Sequence, residues 1–231
     1  MPSDTNSIVV ANGLSVERGR VPILHDIDLT ISKGEVVALM GPNGAGKSTL
    51  LACLTGGLRP TSGAICFFGN AARGSAAVKR QIGFAGHQAG LYRELTALEN
   101  LMFAARMYGV DCPRERARAL LAEAGLEPMA HRPVAELSQG MRRRLAIARV
   151  QVHDPRLILL DEPFASLDAN GSQWLELLFQ RWRTWKRTVC FASHDAEQSR
   201  RLADRVVWLD AGRIATPERP MSVNAYPRKS A

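Results

Sequence analysis

At positions 41–49 the chain reads Gly41-Pro42-Asn43-Gly44-Ala45-Gly46-Lys47-Ser48-Thr49. Glycines at this spacing let the backbone curl so that successive N–H groups point at one anion. The lysine can reach the β- and γ-phosphates of a nucleotide, and the Ser48 hydroxyl can bind Mg²⁺. This stretch, the phosphate loop, therefore predicts a site for a nucleoside triphosphate and Mg²⁺.

The residues on either side of the phosphate loop fit a strand that runs into a helix. Residues 35–40 are almost entirely apolar, which favours a buried strand, and residues 49–54 fit the first turns of a helix. The start of that helix adds the positive end of its dipole to the site. The alternative is a glycine-rich turn that only connects a strand to a helix, and the complete spacing argues against it.

The composition is that of an ordinary globular protein, with a formal net charge of +8 over 231 residues. Such a charge fits a solvated surface as well as contact with nucleic acid, anionic lipid or nucleotide phosphates. No basic run alternates with aromatic residues, as a groove for single strands would require. We therefore expect no nucleic-acid partner.

The N-terminus and the cysteines indicate the compartment. Residues 1–7 are polar and lack the apolar core of a signal peptide. The longest apolar run, around 157–160, is far too short to cross a bilayer. The four cysteines are scattered without metal-type pairing, which predicts reduced thiols. These features predict a cytoplasmic chain.

Strand-like and helix-like patterns alternate along the sequence. Strand patterns occur at 8–10, 23–31, 61–69, 82–88, 156–161, 188–193 and 205–209, and helical patterns at 96–135, 141–152 and 172–186. The run 157–160 has no polar residue, as expected for a strand covered on both faces. The order of these segments predicts an α/β domain with a mostly parallel sheet and a helical insertion at about 90–150.

Two acidic residues, Asp161 and Glu162, follow this apolar strand. Because α/β folds bind ligands at the carboxyl ends of their strands, both residues would lie near the phosphates. Asp161 suits contact with the Mg²⁺ held by Ser48, through water or from the outer coordination sphere. Glu162 could polarise the attacking water as a general base. The alternative is that the pair only caps a strand or a helix.

These motifs, in this order, resemble the nucleotide-binding subunits of ABC transporters over nearly the whole chain. Leu137-Ser138-Gln139-Gly140-Met141 is similar to the family signature Leu-Ser-Gly-Gly-Gln, and an Arg-rich helix follows at 142–149. Gln88 matches the single glutamine between the core and the helical subdomain of that family. Ser166-Leu167-Asp168 matches the loop after the catalytic glutamate, and His194 matches the switch histidine.

The resemblance implies a P-loop NTPase fold of the ABC ATPase type in a single domain over residues 1–231. A mostly parallel core sheet, the phosphate loop and an antiparallel β subdomain would occupy residues 1–88 and 153–215. An inserted α-helical subdomain with the signature would occupy residues 89–152. Residues 216–231 would form a short tail.

The resemblance also implies how ATP and Mg²⁺ would be used. Two copies, as a homodimer or pseudo-dimer, would pair head to tail, with each ATP between the phosphate loop of one and the signature of the other. The signature Ser138-Gln139-Gly140, at a helix start, would bind the γ-phosphate across the dimer through the Ser138 side chain and the Gly140 N–H. Gln88 would contact Mg²⁺ and the attacking water, and His194 would orient that water. The implied catalytic residues are Lys47, Gln88, Glu162 and His194. The implied ligands of Mg²⁺ are Ser48, Gln88 and Asp161. Asp168 would lie in the loop at the dimer contact.

The chain departs from the family pattern in the signature and at the adenine platform. Gln139 and Met141 replace a glycine and a glutamine, whereas Ser138 and Gly140, which would carry the phosphate contacts, remain. The position where family members offer an aromatic ring to adenine holds Arg18. A guanidinium plane can stack on a base, and a solvent-facing Arg18 is the equal alternative.

The family resemblance requires membrane partners, because no segment of the chain is apolar enough to cross a bilayer. Integral-membrane permease subunits would hold this ATPase at the cytoplasmic face of the inner membrane. They would dock beside the Gln88 loop and the helical subdomain. Residues 90–92 and 95–103 include apolar side chains that fit such a contact, although packing inside the subdomain explains most of them.

Two segments, residues 86–91 and 95–101, are similar to the haem-exporter ATPase of the cytochrome c maturation system. Residues 161–164 and Arg18 also fit that subfamily. The implied function is an ATP-hydrolysing motor for haem export, with no direct haem ligand in this chain. One alternative is a motor for a drug, polysaccharide or lipid exporter. Another, from a different class, is an ABC-type ATPase that acts on nucleic acid or ribosomes.

Overall fold

The polypeptide forms two β-sheets and a group of helices, as seen in a computed structural model that describes residues 6–69, 75–87 and 90–215. The strands are β1 (Ser7–Arg18), β2 (Val21–Ser32), β3 (Val36–Met40), β4 (Ser62–Phe67), β5 (Ile82–Ala85), β6 (Leu157–Asp161), β7 (Thr188–Ala192), β8 (Arg205–Asp210) and β9 (Arg213–Ala215). The helices are α1 (Lys47–Leu54), α2 (Ala76–Lys79), α3 (Ala97–Tyr108), α4 (Pro113–Glu123), α5 (Gln139–Val150), α6 (Ala169–Thr184) and α7 (Ala196–Leu202). Gln88 and the tail at 216–231 lie outside the described residues.

The larger sheet has the strand order β5-β6-β7-β3-β8-β9. All of its pairs are parallel except β8 with β9. The strands β6, β7 and β3 are buried along their whole length, because α1 packs on one face of the sheet and α6 on the other. The mostly parallel sheet expected from the sequence is confirmed. The edge strand β9 is not expected from the pattern.

The smaller sheet, in the order β2-β1-β4, is antiparallel. The sequence pattern predicts strands at 8–10 and 23–31. β2 nearly matches the second of these, whereas β1 runs for 12 residues and extends well beyond the first. A tight turn at Gly19 and Arg20 joins them, and these residues have φ values of 55° and 69°. Buried side chains of both strands, Leu14 and Leu24 among them, belong to the same apolar core as α1. This sheet therefore supports the helix that follows the phosphate loop.

The helices α3, α4 and α5 pack around an apolar core of their own. α3 begins at a capping box, in which Thr96 and Glu99 bond each other's backbone N–H groups. Pro113 is the first residue of α4, where its missing N–H leaves no helical bond unmade. Pro128 lies in a 3₁₀ turn, and Pro133 directly precedes another. The helical pattern is therefore interrupted where the prolines predict.

The extent of the helices depends on capping residues. α5 and α6 each begin slightly earlier than the pattern predicts, because Ser138 and Asp168 cap their first turns. α7, which Asp195 caps, is not expected from the pattern. The longest helix, α6, has 16 residues, and none of the helices in the described ranges is long and apolar enough to span a membrane.

Candidate nucleotide-binding site

The phosphate loop connects β3 to α1 through two glycines that a larger residue could not replace. Gly41 has a φ of 144°, and a Cβ there would lie 2.0 Å from the carbonyl oxygen of Leu209. Gly46 has a φ of 99°, and its Cβ would lie 2.6 Å from a methyl carbon of Leu24. The loop is thus pressed against β8 and β2, so its path requires residues without a side chain at these two points.

The N-terminus of α1 is open towards the phosphate loop. Its N-cap residue, Gly46, makes no side-chain hydrogen bond, and its first turn holds no acidic residue. A helix start without a capping side chain leaves backbone N–H groups free for a ligand, and it carries the positive end of the helix dipole. This is the arrangement with which helices bind phosphate groups.

The ammonium group of Lys47 lies across the phosphate loop. Its Nζ donates to the carbonyl oxygen of Gly41 at 2.8 Å and to that of Pro42 at 3.0 Å. The residue is buried, with 7% of its surface exposed. Because a lysine ammonium has three donors, it can also bind a phosphate oxygen. Lys47 therefore places a positive charge within the loop itself.

A cavity of about 610 Å³, here called the phosphate-loop cavity, opens beside α1. Its size falls in the range of small-ligand sites. Five separate parts of the sequence meet in its wall, and the lining residues are Ile23, Asn43, Gly44, Gly46, Lys47, Ser48, Thr49, His87, Glu162, Ala165 and His194. The structure thus brings the predicted Lys47, Ser48, Glu162 and His194 into one site.

Glu162 and His194 follow the neighbouring strands β6 and β7, and their side chains meet. Nδ1 of His194 lies 2.8 Å from Oε2 of Glu162. The Glu162 side chain is 22% exposed and that of His194 is 73% exposed, so the histidine is open to the cavity. The backbone N–H of Glu162 donates to the carbonyl oxygen of Ala192 at 3.1 Å. Glu162 has a φ of 50°, a left-handed value that is uncommon for residues other than glycine. Such values occur more often at functional sites, where the backbone conformation fixes the direction of a side chain.

Asp161 and Ser48 offer oxygen atoms of the kind that Mg²⁺ binds. Asp161 ends β6 and is 6% exposed, whereas Ser48 is exposed on α1, which packs against β6. The described residues contain no cluster of three or more His, Cys, Asp or Glu side chains that could hold a metal ion. In proteins Mg²⁺ is commonly held by one or two carboxylates together with substrate phosphates and water.

The signature residues lie at the start of α5 and do not line the phosphate-loop cavity of their own chain. Ser138 caps the helix, with its Oγ accepting from the N–H of Met141 at 3.2 Å. A Cβ on Gly140 would lie 3.1 Å from the carbonyl oxygen of Ser166, so the helix start lies against the loop after β6. Among the described residues, those lining the phosphate-loop cavity include none of the signature. Gln139 lines a neighbouring cavity of about 200 Å³.

Two further predicted residues, Asp168 and Arg18, do not line the phosphate-loop cavity. Asp168 caps α6, and its Oδ1 accepts from the N–H of Gly171 at 2.7 Å. Arg18 is exposed at the end of β1 and is not part of the wall described for the phosphate-loop cavity. Its stacking on adenine stays a prediction. Gln88 lies outside the described residues, although its neighbour His87 lines the cavity.

Arg143 is not predicted from the motifs, yet it lies buried next to Glu162 and lines the neighbouring cavity. Its guanidinium donates to the carbonyl oxygens of Gly86 at 2.7 Å, of Pro163 at 3.3 Å, and of Asp161. Burial lowers the pKa of Arg143, while the carboxylates of Asp161 and Glu162 act in the opposite direction. An arginine keeps its proton under these conditions, so a buried positive charge lies behind the ends of β5 and β6.

The helical spacing contains the signal that identifies this arginine. Arg143, Ala146, Ile147 and Val150 share one face of α5, and all four are buried. An arginine in register with apolar residues must find hydrogen-bond acceptors inside the protein, because an unpaired buried charge is very costly. The acceptors themselves could not be read from the sequence, since they belong to other elements.

The chain is similar to a known protein family and to several of its members. The ABC transporter family model matches residues 24–165. The chain is 38% identical over 198 residues to the ABC transporter ATP-binding protein NatA of Bacillus subtilis, an alignment that covers 84% of this chain and 80% of NatA. It is 42% identical over 162 residues to the cytochrome c biogenesis ATP-binding export protein CcmA of Cupriavidus pinatubonensis, covering 70% of this chain and 72% of CcmA.

Another relative is longer than this chain. The chain is 40% identical over 207 residues to the sulfate/thiosulfate import ATP-binding protein CysA of Mesorhizobium japonicum, and the alignment covers 84% of this chain but 58% of CysA. Among solved structures, the post-hydrolysis dimer of the ATP-binding cassette MJ0796 bound to ADP and Pi is similar, with a TM-score of 0.83 and 29% identity. That match covers 90% of this chain and 97% of the cassette.

Proposed function

Because the chain belongs to the ABC transporter family and carries its ATP-hydrolysing domain, we propose that it is the motor subunit of a membrane transport complex. The observation that carries this proposal is the phosphate-loop cavity, in which Lys47, Ser48, Glu162 and His194 meet. A phosphate-binding loop and a carboxylate base are parts that ATP hydrolysis uses in proteins, and a histidine in the same cavity can donate a hydrogen bond to the γ-phosphate.

In the proposed reaction, the phosphate loop and the start of α1 bind the phosphates of ATP, and Glu162 accepts the proton of the attacking water. A positioned carboxylate can do so when it lies within hydrogen-bond reach of that water. His194, bonded to Glu162 and open to the cavity, would hold the carboxylate and bind the γ-phosphate. The role of Gln88 at the water rests on the family pattern alone.

We propose Mg²⁺ as the metal that accompanies ATP, held by Ser48 and Asp161 with Gln88 as a further ligand. Hydroxyl and carboxylate oxygens fit the preference of this ion. When bound, Mg²⁺ would neutralise charge on the phosphates. The protein's own part is to hold those oxygens on two rigid elements, α1 and the end of β6.

We further propose that two copies complete the site as a head-to-tail dimer. The signature begins α5 and lies apart from the phosphate-loop cavity of its own chain. A second copy could present this helix start, with the Ser138 hydroxyl and the Gly140 N–H, to the γ-phosphate. Asp168 would then lie in the loop at the dimer contact. The cassette MJ0796, to which the chain is similar, is a dimer in its solved structure, which supports this arrangement.

A permease subunit would dock on an apolar patch beside α3, formed by Tyr92, Phe103 and Met107. Their exposed fractions are 52%, 41% and 66%, and the rings of Tyr92 and Phe103 meet edge to face with centroids 5.1 Å apart. Leu98 and Leu101 of the same helix are buried and so are not available to a partner. Docking of a cytoplasmic segment of a permease here would hold the chain at the cytoplasmic face of the membrane.

Haem is the transported substrate that we propose. The likeness to CcmA supports it, as do the segments 86–91 and 95–101. The likenesses to NatA and CysA are of similar strength. Export of a drug, polysaccharide or lipid stays an alternative, and the name of CysA adds sulfate or thiosulfate import. His87 lines the phosphate-loop cavity, which favours a role at the nucleotide over one as a haem ligand.

An affinity pull-down from native membranes, followed by mass spectrometry, tests this proposal. Recovery of small polytopic subunits with haem-handling proteins is the expected result. Phe103→Glu should lose those partners, whereas the control Leu177→Glu, at a 52% exposed site on α6, should keep them. Recovery of a permease of a drug or glycan exporter would instead favour one of the alternative substrates over haem. Nucleic acid or ribosomes without any membrane protein would contradict the transport function.

A further inference from the structure

We propose that Arg143 is a positioning residue for ATP hydrolysis, because it joins the backbone on both sides of Glu162 and so fixes the Glu162 carboxylate against His194. The inference rests on the proposed function, in which Glu162 accepts the proton of the attacking water. The hydrogen bonds of Arg143 among the described residues go to backbone oxygens outside the phosphate loop, so it would act through Glu162.

The hydrogen bonds of Arg143 bracket Glu162. Nη2 donates to the carbonyl oxygen of Asp161, the residue before Glu162, and Nε donates to that of Pro163, the residue after it, at 3.3 Å. Nη1 donates to the carbonyl oxygen of Gly86 at 2.7 Å. One planar group therefore ties the segment around Glu162 to the end of the neighbouring strand β5.

The backbone at Glu162 needs such support. Its φ of 50° is a conformation that a non-glycine residue keeps only when its surroundings hold it there. Asp161 and Pro163 are both buried, so their carbonyl oxygens depend on donors inside the protein. Without the guanidinium these two oxygens would be left short of donors, and relaxation of the segment would move the Glu162 carboxylate away from His194.

The geometry requires arginine and not simply a positive charge. A guanidinium presents five donors in one plane, whereas the lysine ammonium is a compact charge at the end of a flexible chain. Charge alone is the competing explanation, since a nearby cation could also act on the Glu162 carboxylate through space. Arg143→Lys separates the two explanations, because it keeps the charge and loses the planar bridge.

The first experiment compares Arg143→Gln and Arg143→Lys with the control Arg144→Gln. Arg144 lies on the same helix and also donates to a backbone carbonyl, that of Ala124 at 3.2 Å, within the helical group. We expect both Arg143 variants to lower kcat by about tenfold to a hundredfold. The affinity for a fluorescent ATP analogue should change by less than about threefold, and Arg144→Gln should keep its kcat.

The second experiment is a double-mutant cycle with Glu162→Gln, read as single-turnover hydrolysis by the full chain. If Arg143 acts through Glu162, then Arg143→Gln should cause no further loss once Glu162 is glutamine. An equal loss in both backgrounds would overturn the proposal, as would a wild-type kcat in Arg143→Gln or in Arg143→Lys. If Arg143→Gln does not fold, Arg143→Lys decides. Wild-type turnover in Glu162→Gln alone would instead refute Glu162 as the base, whatever Arg143 does.

Discussion

Nδ1 of His194 lies 2.8 Å from Oε2 of Glu162, although 32 positions separate the two residues in the sequence. The contact exists because β6 and β7 are adjacent parallel strands, with Asp161 in register with Ala192. The residues that follow two such strands emerge side by side at the carboxyl edge of the sheet. The two side chains therefore form a single unit at the phosphate-loop cavity.

Replacing Glu162 by glutamine removes the proposed base but keeps the shape of the side chain. We expect turnover to fall by about 10²- to 10⁴-fold, the usual contribution of a general base. ATP should still bind, so a nucleotide-bound dimer should accumulate. Steady-state ATPase assays and size-exclusion chromatography with ATP measure these two effects. Turnover at the wild-type rate would remove Glu162 from the proposed role.

Replacing His194 by alanine leaves the Glu162 carboxylate without its side-chain partner. We expect kcat to fall by up to about a hundredfold, because a misplaced catalytic group loses most of its effect. The loss should be smaller than in Glu162→Gln, and nucleotide affinity should change little. The exposed His131, in the helical group, provides the control: an equal loss of kcat in His131→Ala would show that the effect is not specific to the site.

Replacing Lys47 by alanine tests the phosphate loop itself. The loss of a charge-assisted hydrogen bond costs about 1.5–3 kcal/mol, so we expect ATP to bind at least about tenfold more weakly. Titration calorimetry with an ATP analogue measures the change. Lys79→Ala, at an exposed position of α2, should bind as the wild type does. Unchanged affinity in Lys47→Ala would contradict the assignment of the loop.

His153 should make the stability of the fold depend on pH. Its ring stacks on Tyr108 with centroids 3.7 Å apart, and Nε2 lies 3.2 Å from the carbonyl oxygen of Ile82. Burial lowers the pKa of His153 below its ordinary value of 6.5, against the opposing effect of that hydrogen bond. The unfolded chain then binds the proton more readily than the folded one. The free energy of unfolding should therefore fall as the pH drops through about 6.5 towards the lower, folded-state pKa.

Urea unfolding between about pH 5 and pH 8 measures this effect. His153→Phe keeps an aromatic ring beside Tyr108 but cannot take up a proton. The variant should be less stable at neutral pH, because it loses the bond to Ile82, and its stability should vary less with acid. If the slope below pH 6.5 were the same in both proteins, another group would be responsible for it.

The cysteines should react with thiol reagents according to burial. Cys112 is exposed at the start of α4, whereas Cys53 and Cys190 are buried. Burial raises the pKa of Cys53 to about 11 and that of Cys190 further still, so both stay as unreactive thiols at neutral pH. Iodoacetamide should label Cys112 rapidly, and Cys112→Ser should abolish that fast phase. Rapid labelling of Cys190 in the folded protein would contradict this expectation.

Several features of the site could be predicted because they depend on neighbouring residues. The phosphate loop requires glycine at Gly41 and Gly46, where φ is positive. The caps Ser138 and Asp168 act on N–H groups three residues ahead and so set the starts of α5 and α6, although the apolar pattern alone placed both starts slightly later. Features of this kind can be predicted from a short stretch of sequence, because the residues that determine them are near neighbours.

Other features depend on strand order and could not be predicted in this way. The short edge strand β9 exists because it pairs with β8. β1 extends well beyond its apolar run at 8–10, because it pairs with β2 and β4 along its length. Arg143 shows the same limit. Its place on the buried face of α5 follows from spacing, but its acceptors, Gly86, Asp161 and Pro163, belong to segments far away in the sequence.

The sequence by itself determined that this protein has a phosphate-binding strand–loop–helix and an acidic pair at the end of an apolar strand, because backbone conformation and capping are settled between near neighbours. Only the tertiary structure decided that Glu162 meets His194 and that Arg143 joins the chain on both sides of Glu162. Those contacts arise from the order β5-β6-β7 in the sheet and from the packing of α5 against it, and such long-range pairing is set by the burial of the whole core.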